Sequence, residues 1–252
     1  MYTDSHCHIT CDDLYERIDE VLQNMKDVSR AMIMCTSEEE FLRALPLKEK
    51  DPKFKIAWGW FPEDAKDITE EHFHKLEQAI SNHQIDCVGE IGLDYHWDTS
   101  FIEEQKRIFI RQIQMANKSH LPISIHMRDA TKDCLDILRT YAQTKIIFHC
   151  FSGSVETMKE CLKMNSFISL GGPVTFKNAK KAKQVAIACP LDRLLSETDC
   201  PYMAPEPHRG KRNSSLYLTY VAEKLADIKG MDVEKVYEKT RENGKRMYRI
   251  EK

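Results

Sequence analysis

Two imidazoles one residue apart open the chain: His6 and His8, in the run Tyr2-Thr3-Asp4-Ser5-His6-Cys7-His8. In an extended segment residues i and i+2 project to the same side, so both rings can reach one cation. Neutral imidazole is also the commonest metal ligand among side chains. Alone, the pair is a short motif that also occurs by chance. Its weight comes from further acid and imidazole groups that each accompany an apolar run. Glu90 is expected to end the fourth strand in Val88-Gly89-Glu90-Ile91-Gly92-Leu93-Asp94-Tyr95, His126 follows Ile123-Ser124-Ile125, His149 follows Ile146-Ile147-Phe148, and Asp199 closes Glu197-Thr198-Asp199. Singly, each could cap a helix or bond a backbone group. Together, four histidines and two carboxylates are an inventory for two divalent cations with one carboxylate shared. Two cations about 3.5 to 4 Å apart can hold both oxygens of a phosphoester displacement. The chemistry they point to is binuclear metal-dependent hydrolysis.

Such residues, far apart in sequence, need a scaffold that gathers them. Short β-rich apolar runs occur near Tyr2 to Asp4, Ala31 to Cys35, Phe54 to Gly59, Cys87 to Ile91, Pro122 to Ile125, Lys145 to Phe148, Phe167 to Leu170 and Arg193 to Leu195. Between them lie amphipathic stretches. Leu14 to Met25 is one, and Phe101 to Ala116 is another, with Ile102, Phe109, Ile113 and Ala116 at helical spacing. Thr69 before Glu70, Glu71 and His72, and Ser154 before Glu156 and Glu160, read as capped helix starts. Strands alternating with helices imply a parallel sheet, and eight repeats in about 250 residues match a closed (β/α)₈ TIM barrel, whose active sites lie at the C-terminal strand ends. No G-x-G-x-x-G follows the first strand, which argues against an open dinucleotide-binding sheet. Ser214 to Lys252 reads as two helices closing the barrel, and without a linker or repeat the expectation is a single domain over residues 1–252.

The 252 residues are 42% hydrophobic and 31% charged, which suits a globular fold with a sizeable core. No run of about eighteen apolar residues and no signal-peptide pattern is present, so neither membrane nor export is expected. Nine cysteines without a C-x-x-C pair read as reduced thiols in a cytoplasmic protein, with Cys7, Cys35, Cys87 and Cys150 as small core residues. A net charge of −3 argues against coating nucleic acid by bulk attraction, yet local clusters can grip phosphates. There are two: Lys177, Lys180, Lys181 and Lys183, which as a lysine run reads as a solvated face, and the loop Arg209, Lys211 and Arg212.

Across its whole length the sequence resembles the TatD-type metal-dependent deoxyribonucleases, within the amidohydrolase-like barrel hydrolases. The matching segments are Asp4-Ser5-His6-Cys7-His8, Gly89-Glu90-Ile91-Gly92-Leu93-Asp94-Tyr95, Pro122-Ile123-Ser124-Ile125-His126, His149-Cys150-Phe151-Ser152-Gly153 and Glu197-Thr198-Asp199-Cys200-Pro201-Tyr202, with Arg209-Gly210-Lys211-Arg212-Asn213 and a final Asn243 and Arg246. The resemblance implies two divalent ions (Mg, Mn, Zn or Ni), one held by His6, His8, Glu90 and Asp199, the other by Glu90, His126 and His149, with Glu90 as the bridge. It further implies a metal-activated water as nucleophile, Asp199 as proton acceptor as well as ligand, and Glu90 and Asp199 as the catalytic pair. Arg128, Arg209 and Arg212 become candidates for holding phosphate, a task that suits the guanidinium fork. The implied substrate is DNA, cleaved from single-stranded ends, with no obligate protein partner.

Two departures stand out. Gly59-Trp60-Phe61-Pro62 puts Phe61 where many relatives carry a histidine, so that Trp60 and Phe61 become either a stacking surface for a base or packing beneath the rim. The family's R-G-K-R-N-E-P becomes Arg209-Gly210-Lys211-Arg212-Asn213-Ser214-Ser215. Fold does not fix substrate, so another ester or an amide is the alternative, and a non-enzymatic binding barrel ranks last because all six ligand positions are filled.

Overall fold

The apolar runs become eight parallel strands in a computed structural model that describes residues 1–248. They are β1 (Tyr2–Cys7), β2 (Val28–Cys35), β3 (Phe54–Trp58), β4 (Cys87–Asp94), β5 (Ile123–Arg128), β6 (Ile146–Phe148), β7 (Ser166–Leu170) and β8 (Leu194–Ser196), paired in sequence order. Period-two alternation divides the side chains of a strand between the barrel interior and the layer under the helices. On β2, Met32 and Met34 join Ala57, Ile147, Phe167 and Leu195 in one buried cluster inside the barrel. Ala31, Ile33 and Cys35 face the larger cluster between sheet and helices.

The helices α1 (Asp12–Tyr15), α2 (Ile18–Asn24), α3 (Glu38–Lys50), α4 (Glu70–Ser81), α5 (Ile102–Lys118), α6 (Thr131–Tyr141), α7 (Val155–Leu162) and α8 (Lys180–Ala188) fill the crossovers, and α9 (Leu218–Lys229) and α10 (Val233–Met247) follow β8. The expected starts hold: Thr69 N–H donates to His72 Nδ1 at 3.1 Å, and Thr157 N–H donates to Ser154 Oγ at 3.2 Å. The stretch Leu14 to Met25, expected as one helix, breaks into α1 and α2, and Ile18, Val21 and Leu22 of α2 pack partly buried against the core. The two closing helices are α9 and α10; residues 249–252 of that segment lie outside the described residues. Asn243 Nδ2 donates to Leu191 O and Leu194 O at 2.8 and 2.7 Å, which ties α10 to the start of β8. Among the described residues no helix is long and apolar enough to cross a membrane.

The barrel closes between its first and last strands around a buried carboxylate. Asp4 accepts from Thr198 N–H at 2.9 Å, Thr198 Oγ1 at 2.7 Å and Ser215 Oγ at 3.0 Å. Burial pushes its carboxyl up to about 7, against the pull of those hydrogen bonds. Just beyond, Asp199 N–H donates to His6 O and His8 N–H to Cys200 O. The sequence departure at Ser214-Ser215 therefore places a hydroxyl on this seam, while Asn213 Nδ2 clamps the loop by donating to Thr198 O and Tyr202 O.

A second device holds the rim. Gln105 and Gln112, two turns apart on α5, are both buried. Gln105 exchanges a pair of 2.9 Å hydrogen bonds with the backbone of Asp94, and Gln112 does the same with Trp60 at 2.7 and 3.1 Å. One helix thus fixes the loops that follow β3 and β4. Gln112→Leu leaves a buried N–H and C=O unpaired and should lower stability by about 1–3 kcal/mol, measured as a fall in the urea midpoint at unchanged slope.

Candidate metal centre

Five strands deliver the six sequence candidates to one end of the barrel. His6 lies on β1 and His8 just past it, Glu90 on β4, His126 on β5, His149 after β6 and Asp199 after β8. Glu90 does not end its strand: β4 continues to Asp94, and the β4–β5 register slips between Val88 and Ile91. A similar slip falls between Asp4 and Cys7 on β1. Such irregularities re-aim side chains, and here each lies beside a candidate ligand. Gly92 brings β4 close to β5, since a Cβ there would stand 1.9 Å from His126 O. Asp199 (φ 59°) and Cys150 (φ 39°) hold left-handed backbone that side chains rarely adopt, as functional sites often do.

The donor atoms form two groups around Glu90. His6 Nε2 and His8 Nε2 are 3.0 Å apart. Glu90 Oε2 lies 3.4 and 3.6 Å from them, and Asp199 Oδ1 lies 3.6 and 3.5 Å. Three atoms spaced like His6 Nε2, His8 Nε2 and either carboxylate oxygen can lie about 2.1 Å from one centre, the bond length of zinc and similar cations to nitrogen and oxygen. The other oxygen of Glu90 faces the second group, with His126 Nδ1 at 2.8 Å and His149 Nε2 at 2.6 Å. His6, His8 and Glu90 satisfy the proximity that a bound ion requires, as do Glu90, His126 and His149, and the set His6, His149 and Asp199. His6 Nδ1 and His149 Nδ1 are buried without partners. The residues present fit divalent cations.

The electrostatics follow from burial. Desolvation would raise Glu90, but His149, His126 and His6 hold it well below the usual carboxylate range. Asp199 is likewise lowered by His8, His6 and His149 against the effect of burial. Burial opposes protonation of His149, but Glu90 and Glu197 push its imidazole well above its ordinary value. Burial and the neighbouring His149 pull His6 down.

Two carboxylates stand behind the histidines. Asp94 Oδ2 meets His126 Nε2 at 2.8 Å, on the ring edge away from Glu90. Glu197 Oε1 lies 3.8 Å from His149 Nδ1 and accepts from Cys150 N–H at 2.5 Å. A ligating histidine usually gives its second nitrogen to such a group. The only sequence signal for Asp94 and Glu197 was their place in the same short segments as Glu90 and Asp199.

The groups open into a cavity of about 540 Å³ lined by Glu40, Phe61, Glu63, Trp97, Arg128 and Tyr202 among others. Arg128 lies 5.2 Å over Trp97. Arg209 lies 4.3 Å over Phe176, and Arg212 pairs with Asp13 at 2.5 Å, so the structure does not bring these two arginines to the cavity wall. Trp60 is buried with Nε1–H donating to His72 O at 3.1 Å, which makes it packing, whereas Phe61 sets its ring edge-on to His126 at 4.8 Å. All nine cysteines are unpaired, with Cys7, Cys35 and Cys87 buried and Cys150 partly so.

Asp94→Asn is expected to weaken metal affinity about 10- to 100-fold, read by calorimetric titration of metal-stripped protein with Zn²⁺. Gly92→Ala, by forcing β4 away from β5 at His126, should weaken metal binding in the same titration and lower the melting temperature as well.

A family profile described as "TatD related DNase" matches residues 3–249. An uncharacterized metal-dependent hydrolase of Bacillus subtilis, YabD, is 43% identical over 254 residues, covering 99% of this chain and all of that protein. Another, YcfH of Escherichia coli, is 34% identical over 98% of this chain and 96% of its own. Among solved structures, the TatD homologue YJJV of Escherichia coli superposes with a TM-score of 0.92 at 25% identity, covering 99% of this chain and 98% of that one. A TatD family hydrolase of Entamoeba histolytica, 23% identical and covering 98% and 97% of the two chains, shares the fold with a TM-score of 0.86. This barrel, with its histidine and carboxylate centre, is therefore a metal-dependent hydrolase and belongs to the TatD related DNase family.

Proposed function

We propose that the protein hydrolyses phosphodiester bonds of DNA, preferentially at single-stranded ends, with two divalent cations shared by Glu90. The observation that carries this reading is the division of one buried carboxylate between two donor groups, His6, His8 and Asp199 on one side and His126 and His149 on the other. When bound, divalent cations act as Lewis acids that polarise a phosphoryl oxygen and lower the pKa of water. With four nitrogen donors the pocket favours Zn²⁺, Mn²⁺ or Ni²⁺ over Mg²⁺ in affinity.

The chain's own residues do the rest. Asp199 lines the cavity, where its carboxylate would accept the proton of an attacking water. Asp94 keeps His126 turned toward Glu90. Arg128 has no acidic partner among the described residues, and its guanidinium is free to hold a phosphate oxygen as charge develops. Trp97 is 64% exposed and Tyr202 56% exposed, and each offers a face on which a base can stack.

Hydrolysis of a smaller ester or amide is the second reading, favoured by Glu40 and Glu63, two carboxylates on the cavity wall that repel a polyanion. End-labelled single-stranded DNA decides between them. Metal-stripped protein should be inactive, and Mg²⁺, Mn²⁺ or Zn²⁺ should restore a ladder of products. Asp199→Asn should lose about 100-fold or more of the rate, in the range of a positioned acid–base group. Absence of cleavage with every metal, in protein shown by calorimetry to bind them, would transfer the assignment to the small ester or amide.

A further inference from the structure

Beside the cavity over the metal centre lies a second one that none of the proposed chemistry uses. It has a volume of about 420 Å³, within the usual range for small-molecule sites. Phe151, Leu170, Pro173, Val174 and Met203 make its walls, and Asn178, Lys180 and Lys181 stand at its edge. Met203 belongs to both cavities, and Cys150, the neighbour of His149, lines this one. The two cavities therefore adjoin at Met203.

That partition is built into the backbone. Met203 adopts φ 53°, and a Cβ on Gly172 would stand 1.8 Å from Met203 O. Only glycine lets the loop after β8 lie this close to the turn after β7. The charges around the two cavities are unevenly placed. Glu40 and Glu63 line the first cavity alone. Lys180 and Lys181, with Lys177 nearby in sequence, are exposed and form no ion pair among the described residues, and Arg209, over Phe176, has no acidic partner either. The lysine run that read as a solvated face thus borders an apolar cavity that shares Met203 with the cavity over the centre.

We propose that this second cavity is a subsite for a nucleobase of the substrate strand, one nucleotide removed from the bond that is cut, with Lys180 and Lys181 on the adjoining phosphate. This deepens the nuclease reading above and rests on it. Apolar walls accept the flat face of any base, and Ser152 and Asn178 at the edge offer hydrogen bonds without demanding a sequence. A base in a duplex would first have to unstack, so the same cavity favours single strands. The strand then leaves the centre on the lysine side, away from Glu40 and Glu63.

The test compares metal-loaded wild type with Lys180→Ala/Lys181→Ala and with Ala182→Trp, which fills the cavity from α8. Three quantities are read: cleavage of a single-stranded oligonucleotide, cleavage of bis(para-nitrophenyl) phosphate, which is too small to span both cavities, and anisotropy of a labelled oligothymidylate. The ratio of oligonucleotide to small-diester kcat/KM should fall about tenfold or more in either variant, as expected for a lost stacking or phosphate contact. The salt dependence of oligothymidylate binding should become shallower by about 0.7 for each lysine removed. If wild type cleaves the oligonucleotide and both variants match it in ratio and salt slope, the subsite is overturned and the nuclease reading stands. If wild type cleaves no oligonucleotide but binds it, and the variants weaken that binding, the cavity is a base-binding site but the nuclease reading falls, and the subsite's place beside a cleaved bond falls with it. If wild type neither cleaves nor binds it, both fall.

Discussion

Everything at the mouth of this barrel is arranged around one buried carboxylate. Glu90 is 3% exposed, and an ionised carboxylate in such a place is unstable unless opposite charge or hydrogen-bond donors surround it. Three imidazoles do so at 2.6, 2.8 and 3.4 Å. No single element of a small fold could supply them. A closed barrel can, because neighbouring strands end at the same level on a ring and each contributes one or two side chains to its axis. The requirement then propagates outward. His126 needs Asp94 behind it, Asp94 needs its backbone held, and Gln105 holds it from α5.

The seam between β1 and β8 is the other constraint, because His6, His8 and Asp199 face each other across it. A parallel pair is evenly bonded only where both strands are regular, and β8 is three residues long. Asp4 substitutes a carboxylate for the missing ladder, taking three hydrogen bonds from Thr198 and Ser215. Two backbone bonds beyond it set Asp199 against His6, and Cys200 against His8. A buried polar cluster of this kind rigidifies when every member is satisfied, so the price of burying Asp4 is offset where alignment of the ligands matters most.

Much of this was legible in the residues themselves. The eight apolar runs fall on the eight strands because parallel barrel strands are buried on both faces and read as continuous hydrophobic stretches. Five of the six candidate ligands converge because each follows such a run, whereas Glu90 lies within its strand and reaches the centre where the β4–β5 register slips. What escaped notice has no local signature. Gln105 and Gln112 look like ordinary polar positions on an amphipathic helix, and only the approach of the strand ends makes them internal clips. Arg212 reads as a phosphate ligand until Asp13, 199 residues earlier, is brought beside it. The break between α1 and α2, at Glu16 and Arg17, is one that the amphipathic pattern of Leu14 to Met25 did not mark.

The uneven charge around the mouth bears on what enters it. Glu40 is not an idle charge: its Oε2 accepts from Thr36 N–H at 2.8 Å, and Glu40 N–H donates to Ser37 Oγ, so the carboxylate caps the start of α3 as well as lining the cavity. It is fixed there by the fold whatever the substrate. Charges at a wet surface act over roughly a Debye length, about 8 Å at physiological ionic strength, so the lysines near β7 and the acids near β2 and β3 are felt separately along a bound strand. On the nuclease reading, an anionic chain crossing the mouth would meet attraction on the lysine side and repulsion on the side of Glu40 and Glu63, a bias that acts before any base is read.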